Sequence, residues 1–191
     1  MRFIDKKVVI TGGTGGIGQA VVELFAAEGA KVLFSDHSEE DCSDYCNALE
    51  ARGLETGYLA GDLRDKTYCE ALIAEAVARF GGLDILVNNA GVIPRGTILE
   101  TTDDMWFNAL DVNLTSVFFL CRAAIPEMQR NGGGAIVNTS STWGLYPGPG
   151  HVAYCTSKAA LAALTKNLAR DHAGDGIRVN AVCPNEVNTP M

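Results

Sequence analysis

Six short runs of apolar, mostly branched residues punctuate the chain, at 8–10, 32–34, 58–60, 85–87, 135–137 and 177–179. Polar residues seldom interrupt them, which is the pattern of strands buried on both faces. Between these runs, apolar residues recur at helical spacing. Ile17, Val21, Leu24 and Phe25 predict the inward face of one helix, and Cys69, Leu72, Ile73, Ala76, Val77 and Phe80 that of another. Cys42, Cys46 and Leu49 continue an i, i+4, i+7 stripe that predicts a third buried helix face. Gly132, Gly133 and Gly134 predict a tight connection from a helix into the fifth strand. Strand and helix alternating in this way imply right-handed βαβ units. The expected fold is α/β, a parallel sheet with helices on both faces.

Composition narrows the function. The 191 residues are most simply one domain at roughly 150 residues per domain, and 47% apolar content argues against disorder. The longest unbroken apolar run, Ala159 to Leu164, has six residues, against about 20 for a bilayer span. Asp5, Lys6 and Lys7 interrupt the one candidate signal stretch. A net charge of −8 weighs against a phosphate-backbone partner, so neither nucleic acid nor membrane is expected and the reading is a cytoplasmic protein. Six cysteines in a chain this long do not form a disulfide framework. His37 lies near Cys42 and Cys46, but no second Cys or His pair has ligand spacing, so no metal is expected.

Chemistry enters at the turn after the first strand. Thr11-Gly12-Gly13-Thr14-Gly15-Gly16-Ile17-Gly18 leads directly into a helical pattern. Small residues there let the backbone approach a pyrophosphate held by N–H groups at a helix N-terminus. Two registers fit: Gly13, Gly15 and Gly18 as G-x-G-x-x-G, or Gly12, Gly16 and Gly18 as T-G-x-x-x-G-x-G. The second strand ends in Asp36, where a carboxylate reads the adenosine ribose, although it is also placed to cap the helix that follows. Asp62 follows the third strand, placed toward an adenine ring. Asn88-Asn89-Ala90-Gly91 follows the fourth, again at a carboxyl end, where ligands of such sheets gather.

Tyr154 and Lys158 stand four apart on a helical segment, hence on one face. An ammonium near a phenol favours the phenolate and suits it to proton transfer. Ser141 lies at the end of the fifth strand, and Asn113 in a preceding helical region, within Asp111-Val112-Asn113-Leu114.

Taken together, these motifs resemble the short-chain dehydrogenase/reductase family. T-G-x-x-x-G-x-G at Thr11 to Gly18, N-N-A-G at Asn88 to Gly91 and Y-x-x-x-K at Tyr154 to Lys158 carry the resemblance, with Ser141, Asn113 and the run from Arg178 to Pro184. The resemblance implies a Rossmann-like doubly wound sheet and an NAD-dependent alcohol/ketone oxidoreductase. Tyr154 would be the general acid/base, and Ser141 would hold the substrate oxygen. Lys158 would hold the nicotinamide ribose, and Asn113 a water of the proton relay. The cofactor NAD would lie along Gly12, Thr14, Gly15, Gly16, Ile17, Gly18, Asp36, Asp62, Leu63, Asn89, Ala90 and Gly91. Pro184, Val187 and Thr189 would meet its nicotinamide end. A homo-oligomer, dimer or tetramer, is a further implication, with a small molecule as substrate.

The chain departs from the family pattern twice. Asn185 stands where glycine usually follows the proline; Asn tolerates φ > 0, so the residue reads either as a tolerated turn or as a group touching nicotinamide or substrate. The family's final strand and substrate lid would also lie beyond Met191, so the intact protein is expected to be about 50–70 residues longer, which would cover the sheet edge. Arg95 is placed to hold a substrate carboxylate, and Glu186 or His151 hydroxyls, which suits a polyol, sugar or sugar acid. Two alternatives stay open. An NADPH-dependent 3-oxoacyl-carrier reductase predicts a basic residue where this chain has Thr14, Gly15 and His37. A catalytically silent NAD-binding regulator predicts loss of Tyr154, Lys158 or Ser141, all of which are present.

Overall fold

The computed structural model describes residues 1–189. Six strands form one sheet: β1 (Lys7–Thr11), β2 (Lys31–Asp36), β3 (Thr56–Ala60), β4 (Ile85–Asn88), β5 (Gly134–Thr139) and β6 (Ile177–Val182). Each contains one of the six predicted runs. The order is β3-β2-β1-β4-β5-β6 with every pairing parallel, so the direction of winding reverses between β1 and β4. A crevice opens outside the carboxyl ends of the strands at such a reversal.

Six helices flank the sheet: α1 (Gly16–Ala27), α2 (Glu39–Glu50), α3 (Lys66–Phe80), α4 (Asp103–Leu110), α5 (Ser116–Arg130) and α6 (Val152–Asp171). Alternation along β1 divides the core. Val8 and Ile10 face α1 and α2, packing with Val32, Phe34 and Val87, whereas Val9 joins Leu33, Leu86 and Ile136 under α3, α5 and α6. β6 differs from the central strands: Ile177 and Val179 are buried but Arg178, Asn180 and Val182 are exposed. Its outer face is not covered by helix among the described residues.

Two helix faces match expectation and one does not. Cys42, Cys46 and Leu49 are buried on α2, and Cys69, Leu72, Ile73 and Ala76 on α3. On α1 the buried residues are Gly18, Val22 and Ala26, while Leu24 is exposed. The predicted stripe is therefore rotated. Small side chains let this helix approach the sheet closely, with Val21 and Phe25 packing along its flank.

Helices α4 and α5 are joined without a break by a π-helical turn, Asp111–Thr115. The combined stretch, Asp103–Arg130, is long and apolar enough by composition to cross a membrane, but its Val117, Leu120, Ala124 and Met128 are buried against the sheet. A buried polar row also crosses the core. Asn88 Nδ2 donates to Asn138 Oδ1 at 2.8 Å, Asn138 Nδ2 to Thr165 Oγ1 at 2.9 Å, and Thr165 to the Leu161 carbonyl at 2.8 Å. It links β4 and β5 to α6.

Candidate active site

The glycine turn at the end of β1 is shaped by close backbone contact. Gly12 has φ +67°, and a Cβ there would stand 2.9 Å from the Ala90 Cα. A Cβ on Gly18 would come within 1.8 Å of the Gly12 carbonyl oxygen. No such crowding exists at Gly15, whose nearest neighbour would be 3.6 Å away. Sterics thus require glycine at Gly12, at Gly18, which both registers share, and at Gly13, where a Cβ would meet the Phe34 side chain at 2.7 Å, but not at Gly15. The Thr11 hydroxyl accepts from the N–H groups of Asn89 and Ala90, both at 3.1 Å. Asn89 Nδ2 in turn donates to the Thr11 and Gly12 carbonyls at 3.2 Å. Its carboxamide is spent on bracing the turn.

Side chains cap α2, α3 and α4 (Ser38, Asp65 and Thr102), but none caps α1, whose N-cap is Gly15. The first-turn N–H groups of α1 are left for an anion, which fits a pyrophosphate. A cleft of about 930 Å³ runs from this turn across the sheet reversal. Thr14, Gly15, Gly16 and Ile17 line it beside Gly12 and Gly18.

At one end stands Asp36. Its Oδ2 accepts from the Thr14 N–H at 3.1 Å and the Thr14 hydroxyl at 2.7 Å, and its Oδ1 from the His37 N–H at 2.8 Å. Burial pushes this carboxyl up, but the Thr14 and His37 hydrogen bonds outweigh it and hold it below the usual range. Asp36 is not the cap of α2: Ser38 takes that place, accepting from the Asp41 N–H at 3.2 Å. Asp62 and Leu63 line the same end with Arg64, which the sequence reading missed. The Arg64 Nη2 meets Asp62 Oδ2 at 2.6 Å, and Nη1 reaches Asn108 on α4 at 3.3 Å. That guanidinium holds the Asp62 carboxyl low. A basic residue two places after the strand-end aspartate was the available signal; its partner on α4, 44 residues on, was not legible.

At the other end the cleft is lined by Ala90, Gly91, Ser141, Tyr154, Lys158, Pro184, Val187 and Thr189. Ser141 Oγ accepts from the Trp143 N–H at 3.1 Å, which leaves the hydroxyl proton free to donate. Tyr154 is buried on α6 with its ring edge-on to Trp143, centroids 6.2 Å apart. Lys158 Nζ donates to the Thr139 carbonyl at 2.7 Å and lies 5.9 Å from the Tyr154 ring centroid. Burial pushes the Lys158 ammonium down to about 8.

Asn113 sits behind this wall, in the π turn, fully buried and off the cleft surface. Its Oδ1 accepts from the Val92 N–H at 2.8 Å, and Nδ2 donates to the Val92 carbonyl at 2.9 Å and Ser157 Oγ at 3.0 Å. The side chain clamps the segment that follows Gly91. Arg95, His151 and Glu186 do not line the cleft; His151 instead stacks on Trp143 at 4.5 Å. Asn185 does line it, and its backbone is not at positive φ, since Asp5 is the one non-glycine residue so placed among those described. Of the two readings left open for Asn185, the left-handed turn is thereby excluded.

The glycine turn at one end and Ser141, Tyr154 and Lys158 at the other thus share one cleft. The family model for short chain dehydrogenases matches residues 6–191, and the chain belongs to that family. It is 43% identical over 184 residues to an uncharacterised oxidoreductase of Thermotoga maritima, covering 96% of this chain and 72% of that one. It is 42% identical to a 3beta-hydroxysteroid dehydrogenase of Mediterraneibacter gnavus, covering 100% and 69%, and 38% identical to a meso-2,3-butanediol dehydrogenase of Serratia marcescens, covering 100% and 75%. A crystal structure assigned as a short-chain dehydrogenase/reductase from Burkholderia xenovorans superposes with a TM-score of 0.94 at 34% identity, covering 100% of this chain and 78% of that one.

Proposed function

We propose that the protein is an NAD-dependent oxidoreductase that interconverts a secondary alcohol and a ketone. The observation that carries this reading is a single cleft with Asp36 at one end and Ser141, Tyr154 and Lys158 at the other. The glycine turn and the uncapped N-terminus of α1 fit a pyrophosphate, and Asp36 suits a ribose 2′-hydroxyl. When bound, the nicotinamide accepts or supplies the hydride.

The protein's own part is orientation and proton transfer. Ser141, its oxygen already accepting from Trp143, donates to the substrate oxygen. Tyr154, as the phenolate, would take the alcohol proton at its phenolic oxygen, and as the phenol would return it in the reverse direction. Lys158, held by the Thr139 carbonyl, presents its remaining N–H groups to the phenol side and to the nicotinamide ribose. Asn113 fixes the Val92 segment behind Lys158, its carboxamide bonded to Val92 and Ser157. With Arg95 off the cleft, a neutral polyol or sugar suits the site better than a sugar acid, and one relative named for a diol supports this. A cytoplasmic location is part of the same reading, as is a homo-oligomer, the latter supported by Phe107 and Phe118, which are exposed on adjoining helices. The test follows NADH formation from purified protein across a panel of secondary alcohols and polyols, with NAD and NADP in parallel. Turnover with NAD is expected, and a clear preference for NADP would overturn the cofactor assignment.

A further inference from the structure

Asn185 is a polar residue at the Ser141 end of the cleft that the mechanism leaves unused. Its Oδ1 accepts from the Thr142 hydroxyl at 3.1 Å, and the Thr142 N–H donates to the Pro184 carbonyl at 3.0 Å. A further bond, from the Ser140 N–H to the Val182 carbonyl at 2.8 Å, extends the same ladder on the other side of Ser141. The segment carrying Ser141 and the loop carrying Asn185 are thus laced together, and the carboxamide is anchored one residue beyond the serine. With Oδ1 turned to Thr142, Nδ2 makes no hydrogen bond among the described residues. An exposed carboxamide on a cleft wall, with its backbone free of any left-handed requirement, has two N–H donors to offer.

Resting on the proposed oxidoreductase reading, we infer that Asn185 is a specificity-determining residue that selects substrates bearing a second oxygen on the carbon adjacent to the reacting one. Ser141 and Tyr154 hold the reacting oxygen. The Asn185 amide, tied to the neighbour of Ser141, donates to a hydroxyl or carbonyl oxygen one C–C bond away. The substrate class is therefore a vicinal diol or the matching α-hydroxyketone.

Matched alcohol pairs test this: butane-2,3-diol against butan-2-ol, and cyclohexane-1,2-diol against cyclohexanol. Wild type is expected to favour the diol in kcat/KM by about ten-fold or more, because a site built to bond a hydroxyl rejects the analogue lacking it. Asn185→Asp keeps an oxygen for Thr142 but removes the N–H donors, and Asn185→Ala removes both. Each should lower the diol preference by about three- to ten-fold, mainly through KM. Equal use of both members of each pair by wild type overturns the inference. So does a pattern in which Asn185→Ala weakens diol and mono-alcohol alike and Asn185→Asp restores both, since the residue would then be a clasp. No diol turnover with NADH binding intact by fluorescence also overturns it and leaves the oxidoreductase reading standing. Loss of NADH binding together with all turnover removes that reading itself.

Discussion

The two ends of the cleft use opposite physics. At the Asp36 end the groups are charged and already hydrogen-bonded in the free protein, Asp36 to Thr14 and His37 and Asp62 to Arg64, with Asp62 and Arg64 open to solvent. Around Lys158 and Tyr154 the groups are buried, and the lysine is held at about 8 by desolvation. On the proposed reading, the first end would discriminate by charge at little cost to the fold. The second keeps an ammonium dry, which costs stability and, on the same reading, would serve proton transfer.

The largest break in this comparison is at the buried end. Tyr154→Phe removes one hydroxyl and keeps the ring against Trp143, so turnover should fall by about 10²–10⁴-fold while NAD affinity stays within a few-fold. Steady-state kinetics with cofactor titration would separate the two effects, and retention of more than a tenth of kcat contradicts the assignment. At the charged end, Asp36 should repel the 2′-phosphate of NADP. Repulsion of about 2–3 kcal/mol after screening corresponds to a preference for NAD of about 30–200-fold. Asp36→Ala should narrow that gap chiefly by admitting NADP, helped by Arg64 in the same cleft wall. An unchanged cofactor ratio would sink the ribose role.

How much of this was legible in the chain follows from the same physics. Strands β1, β2 and β4 are buried on both faces, so unbroken apolar runs betrayed them; Tyr154, Lys158, Ser141 and the glycine turn carry their spacing in the sequence. The inward face of α1 was misread because Gly18 and Ala26 form it, and small residues in close contact with the sheet add little to a hydrophobic pattern. Arg64 and Asn108 meet only in the fold, and the π turn that buries Asn113 leaves no mark in helical periodicity.

The cost at the buried end can be measured directly. The folded-state pKa of Lys158 lies below its unfolded value of 10.5, so the unfolded chain binds the extra proton between about pH 8 and 10.5. Wild-type stability therefore gains from this group as pH rises through that window, and the burial penalty is fully present below it. Lys158→Met should stabilise the free protein by about 2 kcal/mol at pH 7, a burial penalty of about 3 kcal/mol less about 1 for the Thr139 carbonyl left without its donor, with the advantage shrinking toward pH 10.5, while abolishing turnover. Urea titrations across pH would show it, and a destabilised variant at pH 7 would count against it. The smallest effect sharpens the other end. Ser38→Ala should cost about 1 kcal/mol through loss of the α2 cap and leave the NAD/NADP ratio unchanged, which separates capping from ribose recognition two residues apart. A shifted ratio would mean the two functions are not separate.

The polar row from Asn88 through Asn138 to Thr165 bears on how the molecule breathes. Its members are buried, and the Asn88 Oδ1 already lacks a partner, so drawing α6 away from β5 would strand further donors in an apolar interior. The helix bearing Tyr154 and Lys158 is therefore joined to the middle of the sheet as one cooperative unit. Its amides are therefore expected to exchange with solvent only on the timescale of global opening. On the proposed reading Tyr154 and Lys158 then stay fixed relative to the sheet, and the Pro184–Asn185 loop is tied to the same frame by its bonds to Thr142.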